Sequence, residues 1–338
     1  MHLQWSLTAP FRIARGVKTT ADAVMVELYD GPFRGRGEAI PYARYGETVD
    51  GALEQIRALE PDLGATFYRT TLQDRLPPGA ARNAVDCALW DLEAKRSGRT
   101  IRQVQQGLTQ PPLATAFTVG LDAPEAMAAA AQALQGFRLV KVKVDHTDPE
   151  SQILAVRSVL PDTDIIVDPN ESWSFDILQR LQPLLRSARI SLIEQPLPAD
   201  QDEALEGFRS VAPLCADESC HTVADLPRLR NRYQVVNIKL DKTGGLTAAL
   251  ELYQAARDAG FGVMAGCMIC SSLGIAPAFI IGRQADFVDL DGPLWLADDW
   301  VDGAWLDQTG MHSPKPELWG GGHAQRTPPH HLTDRSAP

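Results

Sequence analysis

Residues 139–145 read LVKVKVD, a short apolar run in which lysines take alternate positions, 141 and 143. Side chains of a strand alternate between its faces, so Lys141 and Lys143 point one way while Val140, Val142 and Val144 point the other. Four runs of the same kind follow: DIIVDPN (164–170), ISLIEQP (190–196), PLCADES (213–219) and VVNIKLD (235–241). Each carries a charged residue near its end. Lys143, Asp168, Glu194, Asp217 and Lys239 thus recur roughly every 22 to 26 residues, the length of one strand–helix unit of a parallel α/β barrel. In a ring of eight strands the second and sixth face each other, which sets the two lysines on opposite walls of the mouth with three acids to one side.

Extending the pattern gives eight strands, at 114–121, 139–145, 164–170, 190–196, 213–219, 235–240, 262–266 and 286–291, with amphipathic helical stretches such as 124–134 and 246–259 between them. The first hundred residues differ. Segments 3–7, 23–29 and 35–40 read as an antiparallel meander, and Val85, Ala88, Leu89 and Leu92 repeat at helical spacing, with Gly98 placed to end that helix. Pro111-Pro112 marks a boundary, because proline neither donates a backbone hydrogen bond nor continues a helix. The expected organisation is a smaller domain over 1–112, a barrel over 113–302, a segment at 303–322 that returns to the first domain, and a disordered tail over 323–338.

The chain of 338 residues is 44% hydrophobic and 22% charged, ordinary values for a globular protein. Its formal charge of −11 argues against nucleic acid or an anionic membrane as partner. Met1 to Arg12 lack the features of a secretion signal, and no apolar run approaches the ~20 residues of a membrane helix, so a cytoplasmic location is expected. The five cysteines, Cys87, Cys215, Cys220, Cys267 and Cys270, form no disulfide framework. Cys267 and Cys270 make a C-x-x-C pair without a second pair to complete a zinc site and are read as buried thiols.

Lys141 and Lys143 share a face, and both like-charge repulsion and burial lower a lysine pKa, which would make one of them a usable base. The same phase argument pairs Asp168 with Asn170, Asn237 with Lys239 and Asp241, and Asp289 with Asp291. Three acids on consecutive strand ends call for a cation, and an all-oxygen set favours Mg²⁺ over zinc. A metal flanked by two opposed lysines suits removal of the proton beside a carboxylate and return of a proton to the other side, which is epimerisation or racemisation.

These residues resemble the enolase superfamily, whose muconate-lactonising branch has K-x-K on the second strand and a lone lysine on the sixth. Over residues 11–306 the chain is similar to the dipeptide epimerases of the L-Ala-D/L-Glu type. The matching segments are FRIARG (11–16), RYGET (44–48), GAARNAVDCALWDL (79–92), KVKVD (141–145), ESW (171–173), EQPLPA (194–199), ADESCHT (216–222), VNIKLDKTGGL (236–246) and DLDGPLW (289–295). The resemblance implies an α/β fold, a modified (β/α)7β TIM-like barrel with an N-terminal α+β capping domain. It makes Lys143 and Lys239 the acid/base pair, Lys141 a support for Lys143, and Asp168, Glu194 and Asp217 ligands of one Mg²⁺ per chain. Asp289 and Asp291 match the acids that hold the dipeptide's ammonium, and Arg15 the arginine that pairs with the side-chain carboxylate of the second residue. Asn170, Glu218 and Asp241 match supporting positions, and Tyr45 and Glu47 lie in a loop expected to help close the site. Pro169 departs from the family's Asp-Ala-Asn and bears on where Asn170 sits.

The implied activity is interconversion of L-Ala-L-Glu and L-Ala-D-Glu through an enediolate, in recycling of cell-wall peptides. The implied partner is a small dipeptide, and a homo-oligomer is left open. Other dipeptides, o-succinylbenzoate synthesis and cycloisomerisation reuse the same metal and lysines, although substrates of the last two carry no ammonium for Asp289 and Asp291. A sugar-acid dehydratase would supply a histidine on the seventh strand, and none occurs over 262–266. A non-catalytic binder has no need of opposed bases, and a Schiff-base aldolase leaves the acid trio without a purpose. Gly244-Gly245 reads as a helix-start turn rather than a phosphate cradle.

Overall fold

The computed structural model describes residues 1–62, 64, 67–101, 111–307 and 309–321. The tail reading at 323–338 lies outside these residues. Strands β1 (His2–Ile13), β2 (Gly16–Asp30) and β3 (Phe33–Ala39) form an antiparallel sheet in chain order. β1 runs well past the expected 3–7 because it resumes pairing after an irregularity between Ser6 and Phe11. Phe11, Arg12 and Ile13 pair with Lys18, Val17 and Gly16, so Arg15 sits in the turn at the tip of a projecting hairpin.

Helices α1 (Val49–Ala58), α2 (Arg69–Arg75) and α3 (Ala80–Ser97) follow, and α3 ends on Gly98 in the left-handed conformation, φ 68°. α3 lies so close on β3 that a Cβ at Gly35 or Gly37 would overlap the carbonyl oxygens of Ala88 and Ala84. The C-terminal segment returns to this helix. Trp319 Nε1 donates to the Cys87 carbonyl (2.9 Å), and Asp91 accepts from the Gly320 amide (2.7 Å), the Arg36 amide (2.8 Å) and Lys95 Nζ (2.6 Å).

Eight parallel strands in unbroken sequence order make the second sheet: β4 (Phe117–Val119), β5 (Leu139–Lys143), β6 (Asp164–Asp168), β7 (Ile190–Glu194), β8 (Leu214–Ala216), β9 (Val235–Ile238), β10 (Gly262–Gly266) and β11 (Phe287–Asp289). Most are shorter than the sequence suggests, because ladder pairing stops where the polar ends begin. The first and eighth strands are joined by the Ala116 amide on the Val288 carbonyl (2.7 Å) and the Leu290 amide on Thr115 Oγ1 (2.8 Å), which closes the ring. Val140, Val142 and Val144 pack into the large outer core, whereas Ala116, Ile166, Leu192, Cys215, Val235 and Met264 form a separate small cluster with Leu139 and Phe287. That cluster draws on seven of the eight strands and on Ala116, just before β4, and plugs the barrel interior.

The two parts meet at the Gly244-Gly245 turn, with φ 79° and 109°. Arg82 of α3 donates to the Thr243 carbonyl (2.6 Å), and Asp86 accepts from the Thr247 amide (2.9 Å) and hydroxyl (2.6 Å). Side chains at these glycines would collide with Arg82 and Asp86. The glycine pair is therefore a close-approach turn, with Gly245 capping the helix Leu246–Asp258, as the sequence suggested. All five cysteines are free, and among the described residues no helix is long and apolar enough to cross a membrane.

Candidate active site

Two positions beyond six of the eight plug residues, on the same interior face, stands a site residue. Leu139 leads to Lys141 and Lys143, Ile166 to Asp168, Leu192 to Glu194, Cys215 to Asp217, Val235 to Asn237 and Lys239, and Phe287 to Asp289 and Asp291. The period of two thus stacks a charged layer on an apolar floor. Lys143 and Lys239 stand at the ends of the second and sixth strands of the ring and line one cavity of about 500 Å³. Lys141, Asn170, Asp217, Glu218, Asp289, Asp291 and Arg15 line it too.

The lysines are not isolated cations. Lys143 Nζ donates to Asp168 Oδ2 (2.6 Å), Lys239 Nζ to Asp217 Oδ2 (2.7 Å), and Lys141 Nζ lies 2.9, 2.8 and 2.8 Å from Asp168, Glu194 and Asp289. This corrects the expectation of a lowered pKa for Lys141. Burial does push the Lys141 and Lys239 ammonium groups down, but the attraction of Asp168 on Lys141 and of Asp217 on Lys239 outweighs it, and both end raised. The acids respond unequally. Asp168 and Asp217, though buried, are held low by their lysines, whereas burial and the nearby Asp168 push Glu194 up to about 7.

Among the described residues no group of three or more His, Cys, Asp or Glu side chains, as placed, could hold a metal ion. Lys141 is the cation between Asp168 and Glu194, and Asp217 is tied instead to Lys239 and Lys242. The donor set nonetheless fits a hard divalent cation: three buried carboxylates at successive strand ends, all oxygen. Glu194 Oε1 accepts from Asn237 Nδ2 (2.9 Å), while its buried Oε2 has an ion contact but no hydrogen bond.

Asp289 Oδ1 is likewise buried without a hydrogen-bond partner, and Asp291 Oδ2 accepts from the Thr118 amide (2.9 Å) and Trp295 Nε1 (3.1 Å). Asn170 keeps its place despite Pro169. Its φ is 47°, its amide donates to Asp168 Oδ1 (2.9 Å), and its carbonyl accepts from Arg15 (2.8 Å). Asp241 does not line this cavity. It accepts from the Ile40 amide and Asn83 Nδ2 (both 2.9 Å) and so clasps the first domain beside Lys239. Glu47 also departs from the expected role at the mouth, since it binds the Tyr42 amide (3.0 Å) and the first amide of α3 (Ala80, 2.7 Å). Tyr45 does line the cavity, its ring 4.5 Å from that of His221.

Lys242 matches the family in sequence without a role, and Gln195, Glu171 and Arg44 are not singled out there as contributors. Lys242, fully buried, donates to Asp217 Oδ1 (2.7 Å) and the Asn237 carbonyl (2.9 Å). Gln195 accepts from the Asp217 (2.9 Å) and Ser219 (3.1 Å) amides and donates to the Leu197 carbonyl, which fixes the loops after β7 and β8. Glu171 and Arg44 form a two-pronged ion pair (2.8 and 2.7 Å) across the mouth. Of these, only Gln195 carried a usable signal, as a polar residue directly after a strand-end acid.

Residues 125–317 match the family model described as enolase C-terminal domain-like, and residues 1–104 match that of the mandelate racemase / muconate lactonizing enzyme N-terminal domain. The chain is 47% identical over 298 residues to the L-Ala-D/L-Glu epimerase of Escherichia coli K12, covering 87% of this chain and 92% of that one. It is 45% identical over 302 residues to the N-acetyl-D-glutamate racemase of a Pseudoalteromonas species, covering 89% and 96%. Among solved structures, an enolase family member from Agrobacterium tumefaciens with homology to dipeptide epimerases, holding sodium and L-Ala-L-Glu, superposes with a TM-score of 0.92 at 44% identity, over 95% of this chain and 98% of that chain.

Proposed function

The chain belongs to the mandelate racemase / muconate lactonizing enzyme family of the enolase superfamily, and from that membership we propose that it is an isomerase that epimerises the C-terminal residue of a dipeptide, interconverting L-Ala-L-Glu and L-Ala-D-Glu. One observation carries the reading: Lys143 and Lys239 stand four strands apart in an eight-stranded ring, on one cavity that also holds Asp289 and Asp291. An N-acetylated amino acid brings no ammonium for the acid pair, so the dipeptide suits this cavity better.

The substrate ammonium belongs at Asp289, whose Oδ1 lacks a partner, and Asp291. Asp168, Glu194 and Asp217 would hold Mg²⁺, which when bound offsets the negative charge that gathers on the substrate carboxylate as the α-carbon is deprotonated. One of Lys143 and Lys239, neutral, takes the α-proton. The other, as ammonium, delivers a proton to the opposite face. Because proton removal and delivery use different lysines, the stereocentre inverts. Lys141, bridging Asp168, Glu194 and Asp289, keeps the acids of both ends in register.

The same proposal takes residues 1–112 with 303–322 as a capping domain over a barrel of 113–302, and it assigns the enzyme to cell-wall peptide recycling on the strength of its substrate. The test is incubation with L-Ala-L-Glu and Mg²⁺ in D₂O. Gain of one deuterium at the Glu α-carbon together with appearance of L-Ala-D-Glu is expected, and dipeptide left unchanged at high enzyme concentration would defeat the proposal.

A further inference from the structure

Cys267 and Cys270 flank the same glycine. A Cβ at Gly292 would stand 3.1 Å from Cys267 Sγ and 3.2 Å from the Cys270 amide nitrogen, so the loop after β10 wraps the turn that follows Asp291. The Cys270 thiol donates a hydrogen bond to the Cys267 sulfur, and that bond, with burial, holds its pKa well above the ordinary thiol range. Two sulfurs in such contact, three residues apart, have the proximity that a disulfide needs.

Their surroundings give each a different part. Cys267 departs from the expectation of a buried thiol: it is half-buried and lines the cavity of Lys143 and Lys239, together with Met268 and Ile269. A small polar oxidant entering that cavity can reach its sulfur. Cys270 is 3% exposed and does not line the cavity. Its neighbour Ser271 donates from its amide and hydroxyl to Glu38 of the first domain (2.8 and 2.6 Å) and accepts from Trp300 Nε1 (2.9 Å), which anchors the backbone at Cys270. The other three thiols are buried elsewhere, Cys215 in the barrel plug, Cys87 against Asn83 of α3, and Cys220 beyond β8.

We propose that Cys267 and Cys270 are a peroxide-responsive thiol pair whose disulfide draws Cys267 off the cavity wall and disturbs the seat of Asp291. The Cys267 thiolate attacks one oxygen of hydrogen peroxide and the O–O bond breaks. The other oxygen leaves as hydroxide and takes up the proton that Cys267 released, giving water and a sulfenic acid at Cys267. The Cys270 sulfur then attacks the Cys267 sulfur, the S–O bond breaks, and the Cys270 proton leaves with the hydroxyl as a second water. The two thiols lose two electrons and the peroxide gains them. With Cys270 anchored, Cys267 is the sulfur that moves, and its loop bears directly on Gly292.

The test treats the reduced, full-length enzyme with hydrogen peroxide and reads it in two ways. Mass spectrometry should show loss of two hydrogens, placed by peptide fragmentation at a Cys267–Cys270 bond and reversed by dithiothreitol. α-Deuterium uptake by L-Ala-L-Glu should fall by about tenfold or more on oxidation and return on reduction, since misplacing a substrate-holding wall by about 1 Å is enough for that. Cys270→Ser should stop at the Cys267 sulfenic acid, trapped by dimedone, and Cys267→Ser should leave Cys270 unoxidised. Absence of the bond in wild type, a bond to any other cysteine, or a Cys267–Cys270 bond that leaves uptake unchanged would overturn the proposal. Wild type inert on L-Ala-L-Glu before oxidation sinks the dipeptide reading instead, and the mass result still decides the thiol pair.

Discussion

Lys143 and Asp168 are register partners on neighbouring strands, and Lys143 Nζ donates a 2.6 Å hydrogen bond to Asp168 Oδ2. Lys239 makes the same kind of hydrogen bond to Asp217 on the far side of the trio, at 2.7 Å, although the two are not register partners. Each lysine is therefore aimed by an acid from the adjacent strand end, and Glu194 lies between the two pairs in strand order. Loss of either acid would misdirect a lysine as well as remove a ligand.

Glu194→Gln should weaken Mg²⁺ binding by at least about 10–100-fold, because one anionic donor is lost from a three-acid set. Calorimetric titration of the protein with Mg²⁺ checks it. Affinity equal to wild type would mean that the ion binds elsewhere.

Arg15→Ala should lower thermal stability and reduce turnover of acidic and neutral dipeptides together. Its removal leaves Glu218, whose Oε2 already lacks a partner, buried with neither oxygen paired. A melting curve and rates on L-Ala-L-Glu and L-Ala-L-Gln check this. A loss confined to L-Ala-L-Glu with an unchanged melting temperature would contradict it.

The barrel and its charged layer were legible because both obey local rules. Strand alternation put Lys141 with Lys143 and Asp289 with Asp291, and repeat length ordered Asp168, Glu194 and Asp217 around the ring. What the sequence hid depends on which groups meet across long distances. Nothing local says that Asp241 clasps Ile40 and Asn83 rather than entering the cavity, or that Glu47 caps α3. The direction of the Lys141 shift was misjudged for the same reason. Like-charge repulsion is visible in K-x-K, but the compensating acids come from other strands.

Glu38 joins the cap to the barrel by accepting from the Ser271 amide (2.8 Å) and hydroxyl (2.6 Å), and burial raises its pKa from 4.5 to about 7. The folded state therefore holds this proton more tightly than the unfolded state. The stabilisation is full below pH 4.5 and is lost as pH rises through about 7, by on the order of 3 kcal/mol. Glu38→Gln should flatten the stability profile over that window relative to wild type, as measured by urea unfolding at several pH values. Parallel profiles for the two proteins would count against the role of Glu38.

Gly37→Ala should destabilise the cap by about 1–3 kcal/mol or prevent its folding, since the new Cβ overlaps the Ala84 carbonyl in α3. Gly64→Ala, with open space at its Cβ, is the control. Equal melting temperatures for the two variants would show that α3 does not pack this closely on β3.

The most direct test of the central claim is α-hydrogen exchange in D₂O by Lys143→Ala and Lys239→Ala, each given L-Ala-L-Glu and L-Ala-D-Glu separately with Mg²⁺. With one lysine on each side of the α-carbon, both variants should lose epimerisation by at least about 10²–10⁴-fold. Each should still exchange one epimer, the one whose α-hydrogen faces the lysine that remains, and the two variants should retain opposite epimers. Retention of the same epimer by both, or continued epimerisation by either, would contradict the account.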